Sequence, residues 1–304
     1  MYLDFYRLRE YPFALGCDER YFYKSRRHKE ALARLLYTVQ QSRGMVLLTG
    51  DVGAGKTFLG RIVAGRLGRR YRVAALQHPQ DTAKHLVRTL NRSIGLDGHA
   101  GSDRMALVEE LERHLLAQDR RGRQLVVILD EVQSFSDEAL EELRLLWNIQ
   151  ASGQPLLQIV LLAQPELRDR LLRPEWEALR QRIVMRYHLG PLSEDETMAY
   201  ILHRRKVAKD EGCLLKFTVN ALKTAHTVTG GVPRLINVLC DNALLVGYAR
   251  GQPTITSGIM REVADDTIAW DREAPQPPGD EPAPERPDTR REGGRLPLRR
   301  PKPF

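Results

Sequence analysis

The octapeptide "GDVGAGKT" at residues 50–57 decides how this 304-residue chain is read. Two readings compete: a flexible turn, or a cradle for phosphate. A cradle needs backbone N–H groups converging on an anion and glycines where a side chain would block the approach. It also needs a lysine for the outer phosphates and a hydroxyl for a magnesium ion. Gly50, Gly53, Gly55, Lys56 and Thr57 supply these parts, with Asp51, Val52 and Ala54 completing the loop and Phe58 following it. The flanks agree: the apolar run "MVLLT" precedes the loop. The helical segment "TFLGRIVAGRL" follows, and its N-terminal dipole attracts anions.

Working outward, short apolar runs alternate with segments of helical period from about Met45 to Leu189. The runs are "MVLLTG", "YRVAALQ", "LVVILDE", "LQIVLLAQ" and "IVMRYHLG". They predict an α/β domain with a doubly wound parallel five-stranded sheet, whose ligand sits at the carboxyl ends of the strands. Between them, "MALVEELERHLLAQ" places Leu107, Leu111 and Leu115 on one stripe, and "SDEALEELRLLWN" starts with an N-cap at Ser136.

Chemistry-bearing residues fall where such a sheet would present them. Asp130 and Glu131 end the run "LVVILDE"; Asp130 suits a magnesium ion held through water, and Glu131 suits a general base, although adjacent acids also cap helices. Gln164 ends "LQIVLLAQ" and would reach the γ-phosphate or the attacking water, unless it merely stops the strand. Arg180 and Arg182 in "LRQRIVMRYHL" precede the last run, where an arginine can point into a neighbouring subunit's nucleotide; Arg182 is preferred over a plain surface salt bridge. In "GGVPRLIN", Pro233 occupies a first helical turn beside Arg234. A cation is ill placed at a positive helix end, and a bound γ-phosphate would account for it.

The domain expectations are residues 1–44 as an N-terminal segment and helix, 45–191 as the α/β core, 192–268 as an all-helical domain, and 269–304 as a disordered tail. The helical domain opens with a capping box of Ser193 and Glu196. From about Asp271 the tail is rich in proline, glycine and charge, with Phe304 as the only aromatic residue of that stretch. A hydrophobic content of 42% with 28% charged residues is that of a globular body. No apolar run approaches the roughly 18 to 20 residues of a membrane span, and the charged start is unlike a signal peptide, so a cytoplasmic location is expected. Three cysteines, Cys17, Cys213 and Cys240, form no C-x-x-C pair, and neither H-E-x-x-H nor G-x-S-x-G occurs. The net charge of +8 and the runs "RLGRRYR", "RRGR" and "HRRK" favour DNA, RNA or an anionic membrane surface as partner, although such runs are also ordinary solvated helix ends.

Taken with "MYLDFYRLREYPF", "YFYKSRRHKEALARLLYTV", "ILDEVQ" and "LLAQPEL", these segments resemble the AAA+ ATPases over about residues 1 to 268. The branch they are most similar to contains the secretion-pathway A (ExeA-like) proteins and the TnsC/TniB-like transposition ATPases. The resemblance implies a P-loop NTPase (AAA+) fold with a small C-terminal helical lid, ATP and Mg2+ as cofactors, and ATP hydrolysis. It further implies a ring or helical homo-oligomer with sites at subunit junctions. The work done would be assembly or remodelling in a secretion, exopolysaccharide or protein-sorting system; the alternative is an ATP-dependent DNA-binding transposition regulator. On the adenine side it suggests Phe13, Phe22 and Tyr23, which otherwise read as core aromatics. The chain departs from the family pattern at "GCDERYF" and at Ala163, and its polar end favours a relative without a membrane span.

Overall fold

In the computed structural model, residues 1–42, 44–77, 81–96 and 103–267 are described; the expectation of disorder at 269–304 lies outside them. The five apolar runs form five parallel strands: β1 (Met45–Thr49), β2 (Tyr71–Leu76), β3 (Gln124–Leu129), β4 (Leu157–Ala163) and β5 (Ile183–His188). Their order across the sheet is β2-β3-β4-β1-β5. The late strand β4 therefore lies between β1 and β3, with Val160 paired to Val46 on one side and Ile128 on the other. Strands covered on both faces need unbroken apolar runs, and β1 and β4 are buried at every position. The edge strand β5 is buried only at Ile183.

Alternation sends Val46 and Leu48 to one face and Met45 and Leu47 to the other. The short α1 (Tyr2–Tyr6) lies elsewhere; α2 (Arg26–Gln40) and α3 (Lys56–Arg66) cover the first face through Leu35, Leu59 and Ile62. On the second face lie α4 (Ala83–Ser93), α5 (Arg104–Asp119), α6 (Asp137–Trp147), α7 (Glu166–Leu171) and α8 (Glu177–Arg182). The stripe of Leu107, Leu111 and Leu115 on α5 is buried there, as its spacing predicts. Ala139 N donates to Ser136 Oγ over 3.1 Å, the N-cap expected for α6 and worth about 1 kcal/mol.

Beyond the sheet come α9 (Glu194–Ala208), α10 (Val219–Thr229), α11 (Pro233–Ala249) and α12 (Ser257–Thr267). The capping box is present: Glu196 N donates to Ser193 Oγ, and Ser193 N donates to Glu196 Oε2, both at 3.2 Å. The domain is not wholly helical as expected, because Lys216–Phe217 pairs in parallel with Thr254–Ile255. Two-residue strands carry no periodicity, so nothing in the local pattern announces them.

The N-terminal segment divides between two cores. Tyr2, Tyr6, Leu8, Phe13 and Tyr21 belong to the core of the helical domain, whereas α2 returns to the sheet. Polar contacts tie the segment down: Tyr2 Oη donates to Asp241 Oδ1 at 2.5 Å and Tyr6 Oη donates to the Leu244 carbonyl at 3.0 Å. The buried Arg204 donates from Nε to the Pro12 carbonyl at 2.6 Å and from Nη2 to the Ala14 carbonyl at 2.8 Å. Residues 12–17 are thereby held over the gap between sheet and helical domain.

Candidate nucleotide-binding site

The octapeptide sits at the carboxyl end of β1, where glycine is required for two separate reasons. Gly53 (φ 81°) and Gly55 (φ 100°) adopt left-handed backbone. A Cβ on Gly53 would lie 2.6 Å from Arg234 Cβ, and one on Gly50 2.6 Å from the Leu189 carbonyl oxygen. The loop is thus packed between the start of α11 and the segment leaving β5. His28 of α2 braces it from beneath, with the Ser25 hydroxyl 2.8 Å from Nδ1 and a hydrogen bond to the Ala54 backbone.

Lys56, the first residue of α3, is buried, and its Nζ donates to the carbonyls of Gly50 at 2.6 Å and Asp51 at 3.0 Å. Burial lowers its pKa, and the charges of Glu131, Asp130 and Asp51 oppose that shift. Thr57 Oγ1 donates to Asp130 Oδ2 at 2.6 Å. The other carboxylate oxygen of Asp130 accepts from Glu131 N at 2.9 Å, which fixes the side chain facing the loop. A hydroxyl and a carboxylate in contact are hard oxygen donors fit for magnesium. Among the described residues there is no cluster of three His, Cys, Asp or Glu, so such an ion would complete its shell with phosphate oxygens and water.

Immediately after β3 the chain turns sharply: Glu131 has φ 53°, left-handed for a non-glycine residue. Such strain costs on the order of 1–3 kcal/mol and clusters at functional sites. Gln164, at the end of β4, donates from Nε2 to Glu131 Oε2 at 3.1 Å, so these two expected residues meet. Gln133 joins them, donating from Nε2 to the same oxygen at 2.5 Å and accepting the Gln164 backbone N–H on Oε1 at 3.0 Å. Neither Gln133 nor His28 is singled out by sequence reasoning. Gln133 enters through the single 3-10 turn Val132–Ser134, and His28 falls on the apolar face of α2.

Lys56, Thr57 and Glu131 open onto one cavity of about 400 Å³; Asp130 lines instead a smaller cleft that shares Thr57 with it, and Gln133 and Gln164 line neither. Gly53, Lys56, Thr57, Glu131 and Arg234 line one end; Leu15–Cys17, Tyr200, Arg204 and Asn237 line the other. Val52, Phe58 and Pro233 also border it, while Ala54 is buried beneath the loop. Arg234 N donates to the Gly53 carbonyl at 3.3 Å, which brings the start of α11 onto the loop. Phe13, Phe22 and Tyr23 do not line the cavity: Phe13 packs edge-on to Phe217, Phe22 against His28 and Phe58, and Tyr23 against Tyr200. They pack against other rings rather than on the cavity, whose lining in this segment is the neighbouring Leu15, Gly16 and Cys17.

Arg180 and Arg182 stay outside this cavity. Arg182 donates to the Ala178 carbonyl at 2.8 Å and to Asn148 Oδ1 at 3.3 Å, with its guanidinium over the Trp147 ring. Arg180 lines a second cavity at the sheet edge, with Thr49, Arg168, Arg186 and His188.

Comparison with known proteins agrees with this geometry. Residues 39–171 match the family model described as "AAA domain". Over 259 residues, 85% of this chain, the sequence is 41% identical to general secretion pathway protein A of Aeromonas hydrophila, of which it spans 47%. Among solved structures, the ORC2 protein of Aeropyrum pernix in ADPNP and ADP complexes superposes with a TM-score of 0.64 at 18% identity, over 85% of this chain and 72% of that one. Cdc6p of Pyrobaculum aerophilum gives 0.66 at 16% identity, over 84% and 70%. The RuvB Holliday junction branch migration motor of Thermotoga maritima gives 0.53 at 17%, over 84% and 73%. At these identities the structural likeness speaks for the fold alone. Among the described residues, no helix is long and apolar enough to cross a membrane. The chain is an AAA+ protein of the P-loop NTPase fold, similar over most of its length to general secretion pathway protein A.

Proposed function

We propose that the chain binds ATP with Mg2+ in the cavity between loop and helical domain and hydrolyses it. The observation that carries this reading is the meeting of Lys56, Thr57 and Glu131 in one cavity, also lined by residues 15–17, with Asp130 in contact with the Thr57 hydroxyl. The loop amides and Lys56 hold the outer phosphates, and Thr57 and Asp130 hold the metal, which when bound neutralises phosphate charge. Glu131 takes the proton of the attacking water, Gln164 orients that water or the γ-phosphate, and Arg234 meets the γ-phosphate from the helical domain. Arg182 acts on the nucleotide of an adjoining copy in a ring or helical oligomer, which is supported by its place outside its own cavity.

The likeness to a general secretion pathway protein supports work on the assembly or remodelling of a secretion or envelope partner from the cytoplasmic side. The deciding experiment is nucleotide binding and turnover in two variants. Lys56→Ala is expected to abolish both, whereas Glu131→Gln is expected to bind and not turn over. Normal turnover by Glu131→Gln would remove the assigned base. A net charge of +8 favours a second reading, in which DNA controls the ATP cycle. It requires DNA to stimulate turnover with a steep salt dependence, and no binding at low salt rejects it.

A further inference from the structure

Glu131 ends in a carboxylate whose two oxygens are treated differently. Oε2 accepts both side-chain amides, from Gln133 at 2.5 Å and from Gln164 at 3.1 Å. Oε1 has no hydrogen-bond partner among the described residues, and Glu131 lines the same cavity as Lys56 and Thr57. A general base needs this arrangement: one oxygen anchored, the other open towards the water it must deprotonate. The two anchors are not equivalent. Gln164 has been assigned a task at the phosphate or the water, and performing it takes its amide away from Glu131. Gln133 has no such second task. Its Oε1 is occupied by the Gln164 backbone N–H at 3.0 Å, which leaves Nε2 turned to the carboxylate.

We propose that Gln133 is a positioning residue that presents Glu131 Oε1 to the attacking water, and that it remains the anchor of Oε2 when Gln164 turns to the nucleotide. The proposal rests on the reading of Glu131 as general base. The left-handed turn at Glu131 makes such an anchor necessary, because the strained backbone directs the side chain without fixing its outer torsions. Gln133 reaches back because the 3-10 turn Val132–Ser134 folds the chain over the strand end. A misplacement of the base by about 1 Å is enough to cost on the order of a hundredfold in rate.

The test uses steady-state ATPase kinetics of the full chain with melting temperatures measured alongside. Gln133→Met, similar in length and without hydrogen bonds at its end, is expected to lower kcat about tenfold while KM for ATP stays within about twofold. Gln133→Glu keeps an acceptor for the Gln164 N–H and sets a like charge against Glu131, so its kcat should fall at least as far. In the Glu131→Gln background, the small residual rate of hydrolysis read by single-turnover measurement should show no further loss from Gln133→Met, because the group it serves is gone. Full kcat in both Gln133 variants overturns the proposal, as does a Gln133→Met loss of undiminished size in the Glu131→Gln background. A rise in KM with a matching fall in melting temperature also overturns it, since that marks a strand-end stitch. Undiminished turnover by Glu131→Gln alone overturns the general-base reading and the proposal with it; a silent Glu131→Gln with fully active Gln133 variants overturns the proposal only.

Discussion

Thr57, in the first turn of α3 after β1, and Asp130, just after β3, are 73 residues apart and belong to strands separated by β4, yet Thr57 Oγ1 donates to Asp130 Oδ2 at 2.6 Å. Each residue holds the other's side-chain oxygen in place, the pair proposed above to hold the metal. Removing either donor should therefore act on magnesium first. Thr57→Val and Asp130→Asn are each expected to raise the Mg2+ concentration for half-maximal ATPase activity at least tenfold. Metal-free nucleotide binding should change by less than about threefold, because the loop amides and Lys56 are untouched. Titration of turnover with Mg2+ checks this, and an unchanged midpoint in both variants removes the assignment.

Gly53 connects the phosphate loop with the helical domain. Its φ of 81° is strained for any other residue, and an added Cβ would meet Arg234 Cβ at 2.6 Å. Backbone is nearby on both sides, since Arg234 N donates to the Gly53 carbonyl. Gly53→Ala is expected to cost about 1–2 kcal/mol from the left-handed backbone alone. It should weaken ATP binding tenfold or more by pushing α11 off the loop. Calorimetric titration reads the affinity, and wild-type binding by a folded Gly53→Ala protein contradicts the coupling.

Much of this was legible because it is local. The five strands, the loop and the caps at Ser136 and Ser193 each follow from a handful of neighbouring residues. Non-local chemistry was not legible: Gln133 matters only because β4 lies beside β3, and Arg204 only because Pro12 and Ala14 fold onto α9. Aromatic content misled for the same reason. Phe13 and Phe22 are large enough to hold a base, but their faces are consumed by Phe217 and Phe58. The residues beside them, small or exposed, border the cavity instead.

His28 gives the molecule a dependence on pH. Burial holds its pKa below the ordinary 6.5, against the opposing pull of the Ala54 backbone contact and the Glu196 charge, so the folded state favours the neutral imidazole. As pH falls through about 6.5 the unfolded chain takes up the proton first. The stability this group contributes is therefore present above that pH and lost below it, until the depressed folded value is reached. His114 and His203 are shifted downward by burial too, and they add to the same trend. Melting temperatures between pH 7.5 and 5.5 should fall more steeply for the native chain than for His28→Gln. Parallel curves would show that folding does not depress the His28 pKa.

Arg182 is tested by mixing. Lys56→Ala leaves an intact Arg182 on a protein with no working loop, and Arg182→Ala leaves an intact loop with no arginine to complete its neighbour. An arginine supplied in trans is worth about 10³ to 10⁵ in rate, so each variant alone should be nearly inactive. Mixed, they should regain a measurable part of native turnover, because some junctions unite the sound loop with the sound arginine. Full activity of Arg182→Ala alone, or a mixture no better than its parts, assigns Arg182 to its contacts with Asn148 and Trp147.

Arg204 carries the last prediction. The residue is 4% exposed, and its guanidinium has no carboxylate partner among the described residues and donates to the Pro12 and Ala14 carbonyls and the Tyr200 hydroxyl. It also lies 4.7 Å from the Tyr21 ring centroid. Arg204→Met keeps the apolar stem but strands two carbonyls, at a cost of roughly 2–3 kcal/mol for bonds to a charged donor. Arg204→Lys keeps the charge without the planar fork and cannot reach both carbonyls at once. Both variants should release residues 12–17, of which Leu15, Gly16 and Cys17 line the cavity. Amide exchange there should accelerate in the absence of nucleotide and slow again when ATP is added, with ATP affinity lowered by about tenfold. Native exchange rates in residues 12–17 of a folded Arg204→Met protein would mean that the aromatic contacts alone hold the segment in place.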